Sequence, residues 1–437
     1  ICQLCVSAFK PFRTPATPLW VHSPYLSWWM PADNATDDWV WHVRNDKVGS
    51  MTAIIRIDGR SFSLLGPLHN ACPEGSPLRV QPMQQLGPAL VLPTRTIYSF
   101  AGSGITLNMT FASPKFLEDL DSFRPVALVE FAAFPSDGRT HDVQLFFELS
   151  GQIATDSDSA NVSWVRDDLT ALPAAASSMR IFNPAGIPLR EYSPFNPATL
   201  TGGQPVQHLD WGAAHLTLIQ TDHGVRLATW MGSSNVAREA FAETGSVPPE
   251  ADEIIMPRPA CQPVGSKPGF CRCMSGGRGT ENDWPALTTS WDLGTLEPGV
   301  ASRARAVLSY DDLVTARYFG IVLEEFWRRD GLSFVQMLDE TTRSFGSLLL
   351  RCSLYDSDVV HELEALGGAD YAAIGALSYR QVLGDNSVVW LPAQEHGPMA
   401  GTPAASFMFV KGLGSSGDTA TIDDNYPAAF FFLWRQP

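Results

Sequence analysis

TAIIRIDGRSFSLL, Thr52 to Leu65, is two alternating apolar runs hinged on Asp58-Gly59. Asp-Gly readily adopts the left-handed backbone of a two-residue turn, and alternation sends every second side chain to one face. The stretch therefore predicts a β-hairpin. The device recurs on either side of longer gaps. Tyr98-Ser-Phe100, AGSG and ITLNMTF read as a second hairpin. Val126-ALVEFAAF, the turn PSDGRTHD and VQLFFELSG read as a third, and His215-LTLIQ, Thr221-Asp-His-Gly224 and VRLATWM as a fourth. From about Trp20 to Tyr310 the period stays at two, Pro and Gly punctuate the gaps, and no helical stripe is sustained. Hairpins at this spacing predict one large antiparallel sandwich. Pro248 to Trp284, rich in Pro, Gly and Cys, reads as a surface loop.

Near Asp311 the period lengthens to that of a helix. Asp311 and Asp312 are positioned to cap a helix with Val314, Tyr318, Ile321, Val322, Glu325 and Phe326 on one broad face. Leu332 to Leu350 predicts a second helix, and Asp358 to Leu366 and Asp370 to Leu383 two more. The tail then gives a strand (SVVWLPA, from Ser387), a Gly/Ser turn, another strand and the apolar AAFFFLWRQP. An aromatic cluster of that kind needs a partner surface, so the sequence reads as the front part of a longer protein. The organisation expected is a leader or linker over 1–18, a β domain over 19–310 and a helical domain over 311–437.

The chain has 437 residues, 45% of them apolar, enough for a large core, and a net charge of -16. That charge argues against a nucleic-acid partner, which calls for a basic stripe. No run approaches the roughly 18 apolar residues of a membrane helix, so no membrane span is expected. Sequons at Asn34, Asn108 and Asn161 point to a secreted, glycosylated chain, and ICQLCVSA resembles the end of a signal peptide. Seven cysteines leave one odd. Pairing of Cys261 with Cys271 or Cys273 would staple the Pro/Gly-rich loop. Cys271-Arg-Cys273 has one intervening residue where zinc sites use two to four, so neither a metal nor any cofactor is expected.

Six segments, taken in order, resemble the secreted glutaminase A-like proteins of fungi and bacteria. They are TPLWVHSPYLSWWMP (Thr17 to Pro31), IIRIDGRSFSLLG (Ile54 to Gly66), PTRTIYSFAGSGITLNMTFASP (Pro93 to Pro114), DLDSFRPVALVEF (Asp119 to Phe131), DYAAIGALSYRQVLG (Asp370 to Gly384) and FVKGLGSSGDTATIDDNYPA (Phe409 to Ala428). The resemblance implies an antiparallel β-supersandwich followed by the beginning of an (α/α) six-hairpin toroid, a scaffold shared in outline with glucoamylase-like glycosidases. It implies hydrolysis of L-glutamine to L-glutamate and ammonia, and a chain that stops about a third of the way into the toroid. The Cys261 to Gly277 loop and the tryptophans at 28, 29, 39 and 41 look particular to this chain.

Several side chains are candidates for the chemistry. Asp423-Asp424, read as following a strand, would supply a general base for attack by water; the plainer reading is an acidic turn or a cap for a helix after Pro427. Tyr426 stands beside them. Lys411 would hold a substrate carboxylate, or simply guard an edge strand. Arg380 would clamp a carboxylate in bidentate fashion, or pair with a buried acid such as Asp370 or Glu364. Trp28 and Trp29 offer stacking faces for a sugar ring or a flat amide, or else belong to a core. Ser378, Ser406, Ser415 and Ser416 lack a nucleophile elbow, and the histidines lack metal spacing. Three functions follow. The first is a secreted amide hydrolase with a small-molecule amide as substrate. The second is a glycoside hydrolase or glycan binder on the same scaffold. The third is a non-catalytic assembly subunit partnered by its own missing C-terminal part or by copies of itself.

Overall fold

The computed structural model of the chain describes residues 12–42, 51–69, 79–155, 162–184, 186, 209–219, 224–253, 284–318, 321–397, 399–410 and 422–435. The protein is β-rich first and helical afterwards. Two large sheets share one core. The nine-stranded sheet runs in the order Ser163–Arg166, Ala175–Phe182, Ala213–Ile219, Ser302–Asp311, Val126–Pro135, Ile105–Ala112, Arg95–Gly102, Gln84–Gln85, with Leu90–Val91 also on Arg95–Gly102. The six-stranded sheet runs Arg226–Ser233, Pro285–Leu296, His141–Ser150, Met51–Ile57, Arg60–Leu65, Gln81–Pro82. Alternation explains the packing. Ile105, Leu107, Met109 and Phe111 are fully buried between the sheets while Thr106, Asn108 and Thr110 are half-buried on the other side. Phe131 meets Phe147 and Trp291 across the core at 6.0 and 6.1 Å.

Two of the four expected hairpins form. At Asp58-Gly59 and at Ser103-Gly104 both central residues have positive φ (48° and 82°, 47° and 78°), the backbone of a hairpin turn that matches strand twist. The other two are corrected. Val126–Pro135 pairs with Ile105–Ala112 and Ser302–Asp311, whereas His141–Ser150 pairs with Met51–Ile57 and Pro285–Leu296 in the opposite sheet. Ala213–Ile219 and Arg226–Ser233 likewise lie in different sheets. Turn residues mark a reversal, but either strand can bury its apolar face from either side of a shared core.

The helix expected from Asp311 is also corrected. Residues Ala316–Tyr318 and Ile321–Glu325 form an antiparallel pair that extends through Asn386–Leu391 to Ala405–Val410 as a four-stranded sheet. Along Ile321–Glu325 the burial alternates, with Leu323 and Glu325 inside and Val322 and Glu324 outside. That is period two, and it places Val322 and Glu325 on opposite faces. Four helices are described: α1 (Ser234–Thr244), α2 (Phe334–Arg343), α3 (Phe345–Gly384) and α4 (Ile422–Arg435). A capping box between Ser333 and Gln336 starts α2. Helix α3 spans the expected helices at Asp358 and Asp370 and is broken only at Gly368, where φ is 81° and ψ -177°.

Helix α1 packs on the six-stranded sheet through Ala237 and Phe241, whereas a second core joins α2, α3 and α4 to the outer face of the nine-stranded sheet. Val126, Leu128 and Val307 pack there against Phe334, Leu338, Phe345, Val359 and Leu363. This is why Val126-ALVEFAAF is nearly continuous in apolar residues: Ala127, Val129 and Phe131 face the inter-sheet core, and Val126 and Leu128 face the helices. Among the described residues no helix is long and apolar enough to cross a membrane.

Candidate functional site

The side chains singled out in the sequence do not converge. Asp423 and Asp424 are the second and third residues of α4, not the end of a strand, because the helix begins at Ile422 and carries Pro427 inside it. Tyr426 is 67% exposed on the same helix. Trp28 and Trp29 lie on the fully buried strand Leu26–Met30, at 1% and 7% exposure. Trp28 packs edge-on against His42, and the Trp29 indole N–H donates to Ser27 Oγ at 2.8 Å. Neither presents a face to a ligand, which corrects the stacking role. Arg380 is 1% exposed under the strand Thr17–Ser23, and donates to the Leu19 carbonyl at 3.4 Å. Burial pushes its guanidinium down to about 10 against the opposing charge of Asp356, so the acid beside it is Asp356 rather than Asp370 or Glu364. A closed-off guanidinium cannot clamp a substrate. Lys411, Asn161, Cys261, Cys271 and Cys273 lie outside the described residues. Asn34 is exposed and donates to Asp37, while Asn108 is half-buried and accepts from Ser99 Oγ at 2.8 Å.

The strongest buried charge cluster was not singled out. It joins the N-terminal strand Thr17–Ser23 to Ile321–Glu325. His22 Nε2 lies 2.5 Å from Glu325 Oε1, the Lys115 ammonium donates to the His22 carbonyl, and the Trp327 indole N–H donates to Glu325 Oε2. Burial lowers Lys115 to about 7, helped by the charge of Arg380 and opposed by Glu325. Burial raises Glu325 to about 7, opposed by Trp327 and Lys115. Burial, then the charge of Lys115, holds His22 well below its ordinary value. Asp312, on the same junction, is pushed up by burial and by Glu325, and accepts from Thr315 Oγ1 at 2.8 Å. A second junction fixes α3 to the sandwich. Asp356, fully buried, accepts from Thr94 N at 2.7 Å, Thr94 Oγ1 at 2.8 Å and Arg95 Nε at 2.6 Å. Both junctions are sealed, and the second docks α3 onto the sheets.

A cleft of about 970 Å³ lies elsewhere, between α2 and the edge of the nine-stranded sheet. Its floor is apolar, with Leu172, Trp211, Phe334 and Leu338. Its polar wall is built on Asp167, in the bend between Ser163–Arg166 and Ala175–Phe182. Asp167 Oδ2 accepts from Ser178 Oγ at 2.7 Å and lies 3.1 Å from His215 Nδ1. Burial alone would raise the Asp167 carboxyl; the bonds from His215 and Ser178 and the charge of Arg180 outweigh it and hold it below its ordinary value. His215 Nδ1–H is therefore the donor. Because Ser178 gives its proton to Asp167 and not to His215, the three do not form a nucleophilic triad.

The sequence pattern of a domain of unknown function (DUF5127) matches residues 94–362. The chain is similar to Glutaminase A of Aspergillus oryzae, at 22% identity over 99% of this chain and 55% of that protein. It is similar to a probable glutaminase of Arthroderma benhamiae, at 22% identity over 96% of this chain and 45% of that protein. The chain thus spans about half the length of the relatives it matches. Among solved structures, heparan sulfate lyase HepC from Pedobacter heparinus aligns at 9% identity with a TM-score of 0.23, over 53% of this chain and 22% of that one. That score is too low to bear on the fold.

Proposed function

This chain belongs to the DUF5127 family, and from that premise we propose that its protein is a secreted glutaminase-like hydrolase that splits a small-molecule amide and releases ammonia. The observation that carries the reading is the similarity to a glutaminase A along 99% of the chain. In this reading the residues over 19–310 form a β-supersandwich and those over 311–437 begin a six-hairpin toroid, which the remaining length of the relatives would complete. The junction at Asp356 fits that arrangement, because it locks α3 to the sheets.

Within this proposal Asp424, with Asp423, takes the proton of the attacking water as its oxygen adds to the amide carbonyl. Asp424 then returns that proton to the amide nitrogen, and the intermediate collapses with loss of ammonia and formation of the carboxylic acid. Tyr426 is exposed one turn from the acidic pair. The test is ammonia release from L-glutamine by the full-length protein and by its Asp424→Ala variant. General-base removal lowers kcat by about 10²–10⁴. An Asp424→Ala enzyme with undiminished kcat removes the acidic pair from the mechanism, and no release from any amide removes the function. The glycan reading drew on the tryptophans at 28, 29, 39 and 41 and on the acidic charge, and it is weakened by the burial of Trp28, Trp29 and Trp39.

A further inference from the structure

The cleft beside α2 carries two polar groups that the protein itself leaves unused. The first is Arg180. Its Nε lies 3.4 Å from Asp167 Oδ1, its side chain is 45% exposed, and its two terminal nitrogens have no hydrogen-bond partner among the described residues. The other guanidiniums of the cleft are committed, Arg166 to Asp252 in bidentate fashion at 2.7 Å and Arg328 to Asp311 at 2.6 Å. The second group is His215 Nε2. The ring is fixed by its Nδ1 bond to Asp167 and by Phe334, whose ring lies 4.7 Å away. Its Nε2 has no protein partner among the described residues, yet it is not among the sealed polar atoms, although the residue as a whole is only 5% exposed. It therefore opens to the cleft that His215 lines.

Strand register makes these two groups a pair. Arg180 on Ala175–Phe182 stands directly opposite His215 on Ala213–Ile219, so both project from the same face, with Cβ atoms about 5 Å apart. One is a fork of N–H donors that suits a carboxylate. The other is a fixed lone pair that accepts a proton donor. A carboxylate with a proton donor on the neighbouring carbon is found in α-hydroxy acids and α-amino acids. Asp168 and Asp311, also in the cleft lining, favour a ligand whose second charge is positive over a dianion.

We propose that this cleft is a binding site for a free α-amino acid, with the carboxylate on the Arg180 guanidinium, the α-ammonium donating to His215 Nε2, and the side chain over Phe334 and Leu338. It is separate from the acidic pair of α4 and does not rest on the hydrolytic reading. The Arg–His juxtaposition also arises from residues unremarkable in sequence, since only the pairing of Ala175–Phe182 with Ala213–Ile219 brings them together.

The experiment is calorimetric titration of the full-length protein with L-leucine, whose side chain suits the apolar floor, and with 4-methylpentanoate, which keeps the carboxylate and lacks the α-ammonium. The expected result is a site for L-leucine that weakens at least tenfold in Arg180→Gln and in His215→Phe, and that takes 4-methylpentanoate at least tenfold more weakly. Arg180 is half-exposed, so Arg180→Gln should keep the melting temperature of the parent. An L-leucine isotherm unaltered by Arg180→Gln, or equal affinity for 4-methylpentanoate, overturns the proposal whether or not the protein proves to be an amidase.

Discussion

Asp356 shows how single residues carry this fold. It is a carboxylate with no exposure, and its oxygens are taken by Thr94 and Arg95, 262 and 261 residues away in sequence. Removing one partner of a buried pair leaves the other uncompensated, so Asp356→Ala should lower stability by about 3–5 kcal/mol in urea unfolding. A loss below about 1 kcal/mol would mean that the junction is not a docking element. His141 gives a pH test. Its hydrogen bond to Asp58 at 2.6 Å, against some burial, raises its pKa, with Asp137 adding to the effect. A raised folded value means the imidazolium stabilises fully below the unfolded value of 6.5 and is lost as pH climbs through the higher folded one. The melting-temperature advantage of the parent over His141→Gln should therefore be largest in acid and shrink above neutrality; an advantage that grows with pH would contradict the pairing. None of this was visible in the sequence. His22, Lys115, Glu325 and Asp356 are ordinary polar residues in apolar runs, and long-range packing alone gives them partners.

At the scale of elements, what could be read depended on how local the cause is. The hairpins at Asp58-Gly59 and Ser103-Gly104 were legible because the turn backbone is encoded by the two residues that make it. The pairings of Val126–Pro135 and Ala213–Ile219 were not, because either of two sheets offered the same apolar core. Ile321–Glu325 was misread as helix because a short segment with spaced apolar residues satisfies both periods until its length is known. The break in α3 was legible from Gly367-Gly368, and it supplies a prediction. Gly368 has φ 81° and ψ -177°, a region that only glycine occupies without strain, although an added Cβ would touch nothing within 4 Å. Gly368→Ala should cost about 1–3 kcal/mol from backbone strain alone. Thermal unfolding at the parent temperature would show instead that α3 can straighten through this point.

At the scale of the molecule, sheets come first and helices after, as the change of period in the sequence indicated, although the change falls some 20 residues later than Asp311. Helices α2, α3 and α4 are bound to the outer face of the nine-stranded sheet by a core of their own, and α3 also by the sealed junction at Asp356. They also carry exposed apolar residues, among them Leu350 and Leu354 on α3 and Ile422, Phe430 and Leu433 on α4. The candidate catalytic and substrate-binding residues read from the sequence are split by this architecture. Trp28, Trp29 and Arg380 are inside, whereas Asp423, Asp424 and Tyr426 stay on α4. The amide-hydrolase reading therefore rests on α4 and on the relatives' names, and its most direct test is release of ammonia from L-glutamine by the purified full-length protein. The account predicts stoichiometric L-glutamate and ammonia, with the rate lost in Asp424→Ala. Absence of ammonia from L-glutamine and from other small amides, with a folded protein, would contradict it.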